Sequence, residues 1–179
     1  MSAAIGVIEF SSIARGVDTT DRMLKAAQVK LLKSSTVCPG KYITVISGRV
    51  DNIKSSMRVG RQYGGEYVVD TLEIPNIHEQ LIPAIVQNTH VERPEAIGVM
   101  EFYSVTAGIS AADVAAKAAQ ITLVEVKIGY AIGGKGVVVL TGNLESVNTA
   151  VRAATGDSDL LLKTSVIARP VPELLETLL

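Results

Sequence analysis

Apolar positions in this chain form short solid runs separated by helical stripes, and their order predicts its elements. Ala4 to Phe10 is a run rich in Ile, Val and Phe, the pattern of a buried strand. Val17, Thr20, Leu24, Ala27 and Leu31 follow at helical spacing, with Asp18, Asp21, Arg22 and Lys25 on the polar face. Val29 to Val37 reads as a second strand, and Tyr42 to Ser47 as its antiparallel return. Gly48 ends that strand, Asp51 is placed to cap a second helix with Ile53 and Met57 inward, and Gly64-Gly65 stops it. Glu66 to Leu72 predicts a fourth strand, followed after Pro75 by a short segment from His78 to Val86. Strand, helix, strand, strand, helix, strand is the ferredoxin-like order: an α/β chain of the α+β kind, with helices packed on an antiparallel sheet.

The pattern then recurs. Ala4-Ile5-Gly6-Val7-Ile8-Glu9-Phe10 returns as Ala96-Ile97-Gly98-Val99-Met100-Glu101-Phe102, and Lys25-Ala26-Ala27-Gln28 as Lys117-Ala118-Ala119-Gln120. Ser12/Ser104, Gly16/Gly108, Asp21/Asp113 and Leu31/Leu123 keep the same offset, and Ile109, Ala112, Ala116, Ala119 and Leu123 repeat the helical stripe. Register then slips by two residues, pairing Gly40-Lys41 with Gly134-Lys135, Gly48 with Gly142 and Arg58 with Arg152. The extra residues fall in the loop between the second and third strands. Two tandem domains are therefore expected, 1–92 and 93–179, with the boundary in Val91-Glu92-Arg93-Pro94, where Pro94 disfavours helix.

Composition narrows the function class. Apolar residues make up 47% and aromatics only 4%, so the apolar mass is aliphatic and exceeds what a lone small domain buries; a homo-oligomer is expected. Net charge is -1, without a basic, aromatic-interleaved run to track phosphates, so nucleic acid is not expected as a partner. The start Met1-Ser2-Ala3-Ala4-Ile5-Gly6 has neither the basic region nor the apolar core of a signal peptide. No apolar run reaches the roughly 18 residues of a membrane span. With a single cysteine, the expected compartment is the cytoplasm, with no membrane partner.

That cysteine lies in Val37-Cys38-Pro39-Gly40-Lys41, where Pro and Gly break regular structure and make a hairpin tip. One thiol cannot build a closed metal site, because zinc and iron–sulfur sites usually need three or four protein ligands. Either Cys38 is an ordinary small packing residue, or copies of it meet.

The strand Ala-Ile-Gly-Val-Ile-Glu, the helix with Asp four residues before Lys-Ala-Ala, the turn Gly48-Arg49-Val50-Asp51 and the closing Ala168-Arg169-Pro170 resemble the bacterial microcompartment shell-protein domain. Two copies in one chain resemble its tandem-domain, trimer-forming branch, and the loop Cys38-Pro39-Gly40-Lys41 most resembles the propanediol-utilisation shell protein T branch. The resemblance spans essentially the whole chain. It implies a homotrimer of six similar domains, a pseudo-hexameric tile that packs edge to edge with other shell proteins. In that branch the Cys lies on the central axis and ligates an iron–sulfur cluster. Three Cys38 thiolates, one per chain, would suit one [4Fe-4S] cluster per trimer, its fourth iron open to a non-protein ligand. Such a cluster would serve electron transfer across the shell or be delivered to an encapsulated redox enzyme. Val37, Pro39, Gly40 and Lys41 would flank it, with Gly40 and Lys41 offering N–H groups to sulfides and the Lys41 charge favouring the reduced state.

By the same resemblance, Tyr130, Ala131, Ile132, Gly133, Gly134 and Lys135 form the second domain's equivalent loop, displaced from the axis or lining its outer mouth. Gly133-Gly134-Lys135-Gly136 invites a phosphate-loop reading, but Walker A requires Ser or Thr and then a helix, whereas Val137-Val138-Val139-Leu140 reads as a strand. Lys25 and Lys117 follow Asp21 and Asp113 by one helical turn, an ordinary ion pair by spacing and a tile-edge contact by resemblance. Arg169 matches the family's inter-tile arginine, with Asn76 at that position in the first copy. Glu9 and Glu101 repeat at one scaffold position, which argues for structure rather than paired acid chemistry. His78 and His90, the only histidines, have no partner ligand at metal spacing.

The expectation is a structural shell tile and no enzyme, since no nucleophile, base and orienting group converge on one loop. Two alternatives stand beside it: a tile whose opening passes metabolites without a cluster, and a ferredoxin-like regulatory protein that senses a small ligand.

Overall fold

A computed structural model describes residues 3–87, 89, 91, 95–129, 132–156, 158–171, 173 and 174. The chain forms two compact units, Met1–Ile77 with Gly129–Gly134, and His78–Ile128 with Lys135–Leu179. Segment 78–86, counted with the first copy in sequence, thus packs in the second unit.

In the first unit, β1 (Ala4–Phe10), β2 (Lys30–Val37), β3 (Lys41–Gly48) and β4 (Val68–Ile74) form an antiparallel sheet in the order β2-β3-β1-β4. Helices α1 (Ile13–Ala26) and α2 (Val50–Gly64) pack on each other and on the sheet. β1 is central and buried along its whole length, which explains why it reads as a solid apolar run instead of an alternating one. Ile8, Phe10, Met23, Ile46, Ile53 and Met57 close the core, each such side chain contributing about 1.5–3 kcal/mol by leaving water.

The second unit repeats the arrangement. β5 (Ala96–Phe102), β6 (Thr122–Ile128), β7 (Gly136–Gly142) and β8 (Leu161–Ala168) pair in the order β6-β7-β5-β8, with α4 (Val105–Ala118) and α5 (Leu144–Thr155) packed on them. α3 (Leu81–Ile85) packs on β6 and α4. Both sheets break register at equivalent places, between Leu31 and Lys33 and between Leu123 and Glu125.

Ser12 and Ser104 cap α1 and α4 through their hydroxyls, accepting from Arg15 N–H and Ala107 N–H. Asp51 does not cap α2. The N-cap is Arg49, which makes no side-chain cap bond, and Asp51 sits inside the first turn, where its charge favours the helix dipole. At the equivalent position of α5, Asn143 does cap, accepting from Ser146 N–H at 2.8 Å. α2 stops at Gly64 as expected, with Gly65 at φ +54°. Gly65–Tyr67 then form a 3-10 turn, so β4 begins at Val68 rather than Glu66.

The phase of α1 also differs from the expected stripe. Gly16, Thr19, Thr20 and Met23 are buried, whereas Val17 is 52% exposed; Ala27 is the C-cap and Leu31 belongs to β2. Two contacts set this phase. A Cβ on Gly16 would lie 2.5 Å from Tyr42 Cδ1, so only glycine lets the helix approach β3 there. The Thr20 hydroxyl donates to Gly16 O at 2.7 Å and pairs with Thr44 Oγ1. In α4, Ile109, Ala112 and Ala116 are buried as expected, while Ala119 is the C-cap and Leu123 lies in β6. The polar face of α1 is exposed and internally paired, Arg22 with Asp18 at 3.2 Å and Lys25 with Asp21 at 2.5 Å.

Candidate functional site: the Cys38 hairpin tip

β2 and β3 run antiparallel to their last pair, Val37 with Lys41, leaving Cys38, Pro39 and Gly40 to make the reversal. Gly40 takes φ +86°, a backbone region costly for other residues, and its N–H donates to Val37 O at 3.1 Å. That N–H therefore closes the turn and is not directed outward, whereas the family resemblance implies that it faces a bound sulfide. The Cys38–Pro39 peptide is cis. Cys38 is a free thiol of intermediate exposure, held between the buried Val37 and the exposed turn.

The loop between β6 and β7 supports this tip. Gly129–Gly134 belong to the same compact unit as the hairpin. A Cβ on Gly129 would lie 3.5 Å from Val37 Cγ1, and one on Gly134 would lie 2.7 Å from Cys38 O. Gly134, at φ +78°, thus sits directly against the main chain of the cysteine. Gly133 is at φ +64° with open space beside it, and Ile132 is half-buried. Tyr130 and Ala131 lie outside the described residues, as does His90. The expectation that the two loops are simply repeat equivalents missed this support; the signal was the two-residue insertion with adjacent glycines.

Lys41 Nζ donates to Glu9 Oε1 at 3.0 Å, and Lys135 Nζ to Glu101 Oε1 at 2.7 Å. The Glu9 side chain is 4% exposed and that of Lys41 30%. The lysine closest to Cys38 in sequence is thus already matched by a buried carboxylate, which offsets its effect on any group beyond the tip. Gly136 begins β7, so the Gly133-Gly134-Lys135-Gly136 run leads into a strand, without the helix a phosphate loop needs.

Among the described residues no three His, Cys, Asp or Glu side chains converge within one chain. Cys38 supplies one thiolate, so a metal centre here requires ligands from other copies. The tip suits that demand: a free thiol on a partly buried residue of a glycine-closed turn, backed by main chain.

The proposed edge residues lie elsewhere. Lys25 is exposed at the end of α1. Lys117 pairs with Asp113, a buried carboxylate that also accepts from His78 N–H at 2.7 Å. Arg169, just after β8, is exposed at φ +50°, and Asn76 after β4 has φ +56°, so the two turns share a backbone shape with different side chains. No helix among the described residues is long and apolar enough to cross a membrane.

Comparison with known proteins agrees with this architecture. Residues 4–77 and 96–170 each match the BMC domain family. The chain is 43% identical to the bacterial microcompartment shell protein PduT of Citrobacter freundii, over 95% of this chain and 94% of that one. The crystal structure of a microcompartments protein from Desulfitobacterium hafniense superposes with a TM-score of 0.94 at 41% identity, covering 98% of this chain and 99% of that chain. The fused permuted hexameric shell protein of the RMM microcompartment superposes with a TM-score of 0.60 at 26% identity, covering 85% and 81%. Two sheets with one strand order, matched end to end by such relatives, identify the chain: it belongs to the BMC domain family, as a tandem-domain microcompartment shell protein of the PduT type.

Proposed function

We propose that three copies of this chain close a pseudo-hexameric tile whose central axis gathers three Cys38 thiolates around one [4Fe-4S] cluster. The observation that carries this reading is the free thiol of Cys38, a partly buried residue on a turn closed by Gly40 and backed by Gly134. Three thiolates leave one iron of a cuboidal cluster without a protein ligand. When bound, the cluster would supply one-electron chemistry at an open iron, fitting electron transfer across the shell or cluster delivery to an enclosed redox enzyme. The protein's part is to position the thiolates and shape the polypeptide around them. Because Glu9 offsets Lys41, the intact pair adds little field at the axis, whereas Lys41→Gln uncovers the buried Glu9 carboxylate and should lower the midpoint potential. Lys25, Lys117 and Arg169 would make the tile-edge contacts to neighbouring shell proteins. Substrate turnover is no part of this function.

Iron and acid-labile sulfide, measured on protein purified without oxygen, test the reading. Roughly four irons and four sulfides per three chains are expected, lost in Cys38→Ser while the oligomer persists. Iron-free oligomers that resist reconstitution would overturn it and make Cys38 one wall of a metabolite opening.

A further inference from the structure

The two units are built alike but are not covered alike. In the second unit, α3 and the turn before it cover the edge strand β6 and helix α4. His78 N–H donates to Asp113 at 2.7 Å, Gln80 Nε2 donates to Ile121 O at 3.0 Å, and Gln80 Oε1 accepts from Leu123 N–H at 2.7 Å. Leu81 and Ile85 are buried, and so are Val105, Ile109 and Leu123 beneath. In the first unit the residues equivalent to these last three, Ile13, Val17 and Leu31, are 41%, 52% and 39% exposed. The Asp21 side chain, equivalent to Asp113, is 58% exposed.

A second example of the covering segment exists in the chain. β4 and β8 pair with β1 and β5 in matching registers, Ile74 with Ile5 and Ile167 with Ile97, so the residues after β8 are the counterparts of those after β4. The backbone repeats with them: Leu81 N–H donates to His78 O at 3.0 Å, and Leu174 N–H to Val171 O at 3.1 Å. In this correspondence Val171 stands for His78, Glu173 for Gln80 and Leu174 for Leu81. Val171 is 60% exposed.

Charge distinguishes the two partnerships. Opposite the neutral Gln80, β6 reads Thr122-Leu123-Val124-Glu125; the β2 counterpart reads Lys30-Leu31-Leu32-Lys33. The residue standing for Gln80 is the acidic Glu173. Each segment carries one acid, Glu79 in the first and Glu173 in the second; only in the second does it stand at the Gln80 position, where the facing edge is basic, the complementarity expected of surfaces that meet.

We propose that Val171, Glu173 and Leu174 of one copy dock on the α1–β2 face of the first unit of a second copy, linking neighbouring chains around the ring. Val171 N–H donates to Asp21, Glu173 lies against Lys30 and Lys33 at the β2 edge, and Leu174 covers Leu31 and Val17. The occupant is a second copy of this chain, and the proposal rests on the ring-shaped tile above.

Photo-crosslinking tests it. The full chain carrying p-benzoylphenylalanine at position 174 is mixed with isotope-labelled parent chain, co-assembled and irradiated, and the crosslinks are mapped by mass spectrometry. Inter-chain crosslinks to residues 13–33 are expected. Leu31→Asp, a change at a surface position that leaves the unit folded by circular dichroism, should raise the dissociation constant of the assembly at least ~10-fold. Crosslinks confined to one chain, or to another face of a trimer, overturn the docking and leave the tile standing. A parent chain that sediments as a monomer overturns both.

Discussion

Lys41 Nζ meets Glu9 Oε1 across 3.0 Å, joining the first residue of β3 to the central strand β1 directly beneath the cysteine turn. Lys135 and Glu101 repeat the pair at 2.7 Å in the second unit, so the contact belongs to the scaffold of each domain. The copies differ in burial: the Glu9 side chain is 4% exposed and that of Glu101 33%.

Removing the lysine should therefore matter more in the first unit. Lys41→Met leaves a buried carboxylate unpaired and is expected to cost about 1–3 kcal/mol, whereas Lys135→Met should cost about 1 kcal/mol or less. Urea unfolding of the two variants compares them. Adding Glu9→Gln to Lys41→Met should recover part of the loss, since no unpaired charge remains; a further loss would show that the pair is not what holds the base of the turn.

Gly134→Ala and Gly133→Ala separate contact from backbone strain. Both glycines have positive φ, so both alanines carry a conformational cost of about 1 kcal/mol. Only at Gly134 does the new methyl also strike Cys38 O, at 2.7 Å. On the proposed cluster reading, iron content per chain should fall in Gly134→Ala and hold in Gly133→Ala, with both variants still assembled. Equal iron in the two would remove the β6–β7 loop as a support of the thiol.

Gly16→Ala should be the more damaging of the two helix-to-strand glycine substitutions. Its methyl would lie 2.5 Å from Tyr42 Cδ1, and Tyr42 is held by a 2.6 Å hydrogen bond between its hydroxyl and Ser34 Oγ. At Gly108 the methyl would approach the Gly136 Cα at 3.0 Å, a gap that a small main-chain shift can open. Overpacking at Gly16 is expected to cost about 1–3 kcal/mol, read as a lower thermal midpoint.

Adjacent threonines on α1 should respond in opposite senses to valine. Thr20 links Gly16 O to Thr44 Oγ1 in the core, so Thr20→Val strands the Thr44 hydroxyl and should cost about 1–3 kcal/mol. Thr19 Oγ1 is buried without a hydrogen-bond partner, so Thr19→Val should be neutral or stabilising by up to about 1 kcal/mol. Denaturant midpoints of the two variants check the contrast.

What could be read from the residues was local or repeated. The run Ala4 to Phe10 and its return at Ala96 to Phe102 announced the central strands, because a strand buried on both faces needs no alternation. Pro39 and Gly40 announced a tip at Cys38, and Gly64-Gly65 the end of α2, through backbone preferences that act within a few residues. The tandem repeat implies two domains of one kind.

Other features needed distant groups to meet. The face that α1 buries is set by Gly16 against Tyr42 and Thr20 against Thr44, and a pattern count favoured Val17, an exposed residue in this chain, because it weighs hydropathy without seeing the partner strand. Lys41 carries a free charge in sequence; only the pairing of β1 with β3 brings it to Glu9. Gly134 is an ordinary loop glycine until folding places it against Cys38. Periodicity and turn chemistry are short-range, so the order of residues was enough to set the elements, their succession, their repetition and the place of the single thiol. Which faces are covered, which charges are matched and what supports the thiol emerge only on folding, because those depend on contacts between segments far apart in the chain.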